Sequence, residues 1–418
     1  MIRTDCVVIG GGQAGLAMSR CLARRRIAHV VLERGRVAER WQSERWDSLR
    51  LLTPNWQSRL PGWHYTGPDP DGYMTMAEIT TYLQEYGRSF GAPVETGTAV
   101  RAVARGRTGF VVSTDRATYG TPAVVIATGH CDRPRIPRAA AGLARGLVVE
   151  VTPRDYRRPA QLPPGGVLVV GASASGVQLA EELHRSGRPV TLAAGHHTRL
   201  PRRYRGRDIL WWFDRMGIFS ETTSEVFDVA MSRGQPSLQL VGRPDHGSID
   251  LAGLQALGIR VTGRLLGIDG RHVRFDDDLI ATTAAADVKL ATLLARIDRF
   301  SAAHDGALDL APAEPFEPIW PRFAEAPASL DLGAERISTV VWATGYRRTY
   351  PWLHVPVLDE QGDVRHQDGL TPEPGLYALG LNFLRRRNSS FIDGVGADAE
   401  LLAADIHQRL DRRRSVVA

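Results

Sequence analysis

The chain has 418 residues, is 43% hydrophobic and 23% charged, and carries a formal net charge of +6. This is an ordinary globular composition, long enough for two large cores, and it argues against a disordered chain. The basic residues are arginines apart from Lys289, and no basic run is interleaved with aromatics, so the charge reads as a compositional bias and not as a nucleic-acid surface.

The first predicted strand, 5–9, is a continuous apolar run of the kind buried on both faces of a parallel sheet. Glycines follow, then a helix over 13–26 and a second strand over 29–32 that ends at Glu33. Residues 41–73 are rich in Pro, Trp and Gly and read as a long structured loop. Thr75 and Glu78 form a capping-box pattern opening a helix to about residue 90. Strands are expected over 94–113 and 123–127.

A Pro-, Arg- and Gly-rich stretch over 154–166 suggests a boundary, and a second strand–turn–helix unit starts at Val167. Short elements and an alanine-rich helix over 280–300 follow, then a Pro-rich loop over 311–327. Strands over 340–343 and 376–379 and a last helix over 396–409 complete the chain. The expected fold class is α/β with two Rossmann-like dinucleotide-binding domains. Residues 1–155 and 335–418 are assigned to the first, and 156–334 to the second, with an inserted segment.

Gly10, Gly12, Gln13, Ala14 and Gly15 fall in a G-x-G-x-x-G turn between a strand and a helix. Gly10 permits the tight turn, Gly12 lets a pyrophosphate approach the helix N-terminus, and Gly15 lets helix and strand pack closely. Glu33 suits a ribose diol. The second turn reads Gly171-Ala172-Ser173-Ala174-Ser175-Gly176, with Ser173 in place of the middle glycine. Its following strand ends without an acidic residue, in a stretch containing His196 and Arg199. A carboxylate there would repel a 2′-phosphate, whereas Arg199 can grip one, which favours NADPH over NADH. Two strands end in the same way, at Ala127-Thr128-Gly129 and at Ala343-Thr344-Gly345. A small residue and a glycine there let a cofactor come close.

In this order the motifs resemble the class B flavin-dependent monooxygenases, across nearly the whole chain. The segment from Arg45 to Pro54 is similar to the flavin-contacting loop of that family, and Gly375 to Gly380 to its last FAD-domain strand. The resemblance implies FAD on the first turn, with Arg34, Trp41, Leu51, Thr53 and Val100 beside it, and NADPH on the second. It implies a function in which NADPH reduces the flavin, O2 adds at flavin C4a to give a (hydro)peroxide, and one oxygen enters a small organic substrate. Heteroatom or carbon oxidation ranks above ketone-to-ester chemistry. Asn55 is the candidate for the family's flavin-side Asn, and Asn388 for a polar residue bordering the flavin. Gly394-Val395-Gly396 opens the last helix, whose amides would face the flavin pyrimidine ring. Trp56, Trp63, His64 and Tyr65 are candidates for a substrate pocket.

Thr152 departs from the family pattern, standing where a His is expected, and Tyr156 keeps only the aromatic that follows. An FAD-dependent NADPH oxidase or dehydrogenase, or a non-catalytic flavin-binding redox sensor, therefore stays open. A disulfide reductase is rejected because Cys6, Cys21 and Cys131 form no C-x-x-C pair. No metal site is read from the scattered histidines. The expected partners are a small-molecule substrate and O2, with neither nucleic acid nor membrane; a homodimer stays open. The expected location is the cytoplasm.

Overall fold

The computed structural model describes residues 1–304, 309–319 and 326–417. Its first unit is built on five parallel strands in the order Leu376–Ala378, Ala123–Ile126, Cys6–Ile9, His29–Leu32 and Val94–Glu95. The alternation of side chains sorts each apolar strand between two cores. Cys6 and Val8 face the helices Gln13–Arg24, Met76–Ser89 and Val395–Val417. Val7 and Ile9 face the antiparallel strands Val100–Gly106, Gly109–Thr114 and Thr118–Thr121. The capping box is present: Glu78 N donates to Thr75 Oγ1 at 3.2 Å, and Thr75 N donates to Glu78 Oε2 at 2.7 Å.

The second unit repeats this plan. Its five parallel strands run in the order Val149–Val151, Ile337–Trp342, Gly166–Val170, Val190–Ala193 and Arg260–Thr262. Val167 and Val169 face the helices Ala174–Arg185 and Leu251–Ala256, while Leu168 and Val170 face a three-stranded antiparallel sheet, Leu265–Asp269, His272–Phe275 and Ser329–Asp331. Two strands assigned from sequence to the first domain belong here. Val149–Val151 forms an edge, and Ile337–Trp342 is the strand between it and Gly166–Val170. Val340, Val341 and Trp342 are buried there, as a strand covered on both faces requires, and pairing with Val149–Val151 and Gly166–Val170 fixes the sheet it joins. The chain rejoins the first sheet at Leu376–Ala378.

The alanine-rich helix spans Leu279–Ala303 and packs Leu290, Leu294 and Ile297 against Leu210, Trp212 and Phe213 of an inserted segment. Of the expected Pro-rich loop, 311–319 and 326–327 carry neither helix nor strand, and 320–325 lie outside the described residues. The inserted segment is fastened to the first unit. Arg202 is fully enclosed, pairs with Asp208 at 2.5 and 2.8 Å, donates to Leu52 O at 2.8 Å and lies 4.9 Å over the Tyr73 ring. Tyr73 Oη in turn donates to Asp208 Oδ2 at 2.9 Å. A buried charge is tolerated because a carboxylate pairs with it and each guanidinium nitrogen has an acceptor. No helix among the described residues is long and apolar enough to cross a membrane.

Candidate active site

A single cavity of about 1750 Å³ runs from the first glycine turn past the ends of the parallel strands to the inserted segment. The first turn is shaped by what cannot fit there. Gly10 has φ +114°, and an added Cβ would lie 2.6 Å from Ala127 O; a Cβ on Gly15 would lie 1.8 Å from Gly10 O. Gly12 has nothing within 4 Å of the same position, and it lines the cavity. No side chain caps the helix that begins there, so its first amides remain free for an anion. Glu33 accepts from Gly11 N at 2.6 Å and Gly35 N at 2.8 Å, which holds its carboxylate at the cavity edge. These features fit a dinucleotide.

Arg34, Trp41, Leu51, Thr53, Val100, Ala127, Thr128 and Gly129 also line the cavity, as do Gln13 and Ala14. Gln13 is oriented by Trp41, whose Nε1 donates to Gln13 Oε1 at 3.3 Å, and by its own Nε2, which donates to Ser390 O at 3.4 Å.

The second turn has the same construction. Gly171 has φ +104°, a Cβ on it would lie 2.5 Å from Ala343 O, and a Cβ on Gly176 would lie 1.8 Å from Gly171 O. Ser173 occupies the N-cap without a side-chain capping bond, so this helix also presents free amides. The construction suits a second pyrophosphate. Ala172 O is already held by Gln239 Nε2 at 2.7 Å, and Ser173, Ala174 and Ser175 lie outside the large cavity. Thr344 donates its hydroxyl to Arg135 O, and Gly345 adopts φ +86° with open space beside it.

Five sequence assignments need correction. Asn55 is buried and spans the loop: its Nδ2 donates to Asp69 O at 2.8 Å and its Oδ1 accepts from Met74 N at 2.8 Å. A side chain with both ends committed to backbone is a brace, and it does not reach the cavity. Arg199 lines the cavity, but its Nη1 pairs with Asp287 at 2.5 Å and its Nη2 donates to Glu317 O at 2.9 Å, leaving no free fork for a 2′-phosphate. His196 is exposed and Asn388 buried, and neither lines the cavity. Trp63 packs on Tyr82 and Tyr86 at 6.2 and 6.1 Å, beneath the loop and away from the cavity.

The apolar end of the cavity comes instead from Phe213, Phe219 and Phe391, linked edge to face at 5.5 and 5.7 Å. Lys289 and Arg296 sit on the long helix at the cavity wall, and among the described residues neither side chain makes a hydrogen bond or an ion pair. Thr152 lines the cavity and donates to Asp155 Oδ2 at 2.6 Å, starting a turn that buries Tyr156, whose hydroxyl donates to Glu182 at 2.8 Å.

Sequence reasoning passed over His130 and Cys131, which also line the cavity. Burial opposes ionisation of Cys131, but His130, Arg45 and Arg40 outweigh it and bring the thiol down to about 7. Their adjacency to Ala127-Thr128-Gly129 was the available signal.

Two parallel sheets, each opened by a glycine turn, define the architecture of flavoproteins with two dinucleotide-binding domains. The family described as pyridine nucleotide-disulphide oxidoreductase matches residues 7–206. An uncharacterized CzcO-like oxidoreductase of Geobacillus kaustophilus is 33% identical over 405 residues, covering 96% of this chain and 98% of the relative. The indole-3-pyruvate monooxygenase YUCCA6 of Arabidopsis thaliana is 26% identical over 97% of this chain and 90% of its own. A flavin-containing monooxygenase from Stenotrophomonas maltophilia shares the fold, with a TM-score of 0.68 at 20% identity, over 98% of this chain and 100% of that one. The chain belongs to the family of CzcO-like oxidoreductases and is similar, at lower identity, to flavin monooxygenases.

Proposed function

We propose that this chain is an FAD- and NADPH-dependent monooxygenase acting on a small organic substrate with an apolar body. The observation that carries the reading is the continuity of one cavity from the Gly10–Gly15 turn to the Phe213, Phe219 and Phe391 wall. It gives a dinucleotide site and an apolar pocket a common space. In this reading the first unit holds FAD. The free amides after Gly12 take the pyrophosphate, Glu33 takes the ribose hydroxyls, and Trp41, Leu51 and Thr53 flank the ring system. The second unit holds NADPH by the amides after Ser173. The flavin supplies the oxygen chemistry, with electrons from NADPH, one oxygen atom going to the substrate and the other to water. The protein's own share is to orient both nucleotides and to exclude water at the apolar end.

Thr152 favours a second reading, an NADPH oxidase. It stands where an imidazole is expected, and its hydroxyl is committed to Asp155.

Anaerobic mixing with NADPH, followed by isotope-labelled O2 and a panel of amines, thioethers and α-keto acids, separates the two. The monooxygenase reading requires flavin bleaching and a product carrying one labelled oxygen. Bleaching followed only by hydrogen peroxide selects the oxidase. Bound flavin that NADPH does not bleach overturns both.

A further inference from the structure

Building on the function proposed above, which makes the apolar end of the cavity the substrate end, we propose that the substrate is a carboxylate. Lys289 and Arg296 hold the acid, and the aromatic wall holds the apolar body. The charges on the cavity wall do not balance. Every carboxylate there is matched: Glu33 accepts from two backbone amides, Glu39 pairs with Arg36 at 2.8 Å, Asp132 pairs with Arg40 at 2.7 Å, Asp155 accepts from Thr152, and Glu221 pairs with Arg387. The cations are not all matched. Among the described residues, the side chains of Arg133, Lys289, Arg296 and Arg347 line the cavity without a hydrogen bond or an ion pair. The wall therefore carries spare positive charge and no spare negative charge.

These cations fall in two places. Arg133 and Arg347 stand opposite each other on the paired strands Arg133–Pro134 and Tyr346–Arg347, which follow the two Ala-Thr-Gly ends on the nucleotide side. Lys289 and Arg296 stand on the helix Leu279–Ala303. They are two helical turns apart, about 10 Å, so both project from one edge of the helix with Leu293 between them. Leu290 and Leu293 line the cavity too, and they pack in one cluster with Phe213, Phe219 and Phe391.

Cations along the edge of an apolar surface fit an amphipathic anion. Burial of its body supplies affinity whatever the charge, and the cations select the acid. An amine in the same place meets two like charges and no free carboxylate. A nucleotide phosphate would set a polar ribose against Leu290 and Leu293, whereas an aryl or alkyl carboxylate satisfies both halves of the surface.

The test uses the flavin-loaded protein without NADPH, at low salt, with three probes of similar shape: 3-phenylpropanoate, 3-phenylpropanamide and 3-phenylpropylamine. Equilibrium dialysis is expected to show the carboxylate bound about fivefold more tightly than the amide, and the amine weakest. The gap is expected to shrink at high salt. Lys289 is the chain's one lysine, so reductive methylation of side-chain amines reports on it alone. The carboxylate is expected to protect it, and the amide to leave it open. Lys289→Gln combined with Arg296→Gln is expected to bring the carboxylate down to the amide's affinity. Equal binding of the three probes, no binding of any, or a preference unmoved by the double variant overturns the proposal. So does protection of Lys289 by adenosine 2′,5′-bisphosphate and not by 3-phenylpropanoate, which gives the cations to the nucleotide. No oxygen transfer is measured, so a missing charge preference leaves the monooxygenase reading standing, and turnover to peroxide alone leaves the charge preference standing.

Discussion

Gly10 packs so closely under Ala127 that an added Cβ would lie 2.6 Å from the Ala127 carbonyl oxygen. The same turn leaves Gly12 with open space. Folding and binding are thus assigned to different glycines. Gly10→Ala combines a clash with a left-handed φ and is expected to cost about 2–4 kcal/mol of stability, read as a lower melting temperature. Gly12→Val is expected to keep the melting temperature of the flavin-free protein while weakening FAD binding by about tenfold or more, about 1.4 kcal/mol. Equal melting losses in both variants would remove the distinction.

Arg199 and Asp287 form an ion pair in which both side chains are about one-tenth exposed. Truncating one partner strands the other, at a cost of about 3 kcal/mol or more. Arg199→Ala is therefore expected to lower the melting temperature and to weaken NADPH and NADH to a similar extent. A selective loss of NADPH affinity, with stability kept, would return Arg199 to the 2′-phosphate.

Asn55→Ala removes two hydrogen bonds from the loop that carries Leu51 and Thr53. The expected cost is about 1–3 kcal/mol, from the buried backbone groups left unpaired. Flavin reduction by NADPH is expected to stay within about twofold at a temperature where the variant is folded. A large drop in that rate, with the loop intact by hydrogen exchange, would argue for chemistry at Asn55.

Burial, with Arg233 and Arg348 nearby, holds the His366 imidazole down to about 4. A His lowered on folding is neutral in the native state, and the unfolded chain binds its proton first. Its contribution is therefore complete above the unfolded value of 6.5 and is lost as pH falls toward 4. The slope from this one group is at most about 1.4 kcal/mol per pH unit, less where solvent reaches the ring. His366→Leu is expected to flatten denaturant midpoints across that window. An unchanged slope would mean that another group carries the acid sensitivity.

Much of the scaffold was readable because its signals are local. Continuous apolar runs, glycines at fixed offsets and the Thr75–Glu78 pattern each act within a few residues, and each marks an element that forms. The misreadings are non-local. Nothing beside Arg199 in the chain announces Asp287, which reaches it from the helix Leu279–Ala303. Asn55 resembles a flavin-side residue until its loop folds back to Asp69 and Met74. Ile337–Trp342 reads as a buried strand in either sheet, and only pairing partners decide which. The aromatic wall was sought in the Trp-rich loop, whereas Phe213, Phe219 and Phe391 converge from an insertion and the chain's last quarter.

The enclosed guanidinium of Arg202 makes distant positions answerable to one another. A change at Asp208 alone maroons a cation, and a change at Tyr73 strips away both its aromatic roof and a hydroxyl anchor. Lineages of this protein should therefore exchange Tyr73, Arg202 and Asp208 as a trio or inherit them untouched.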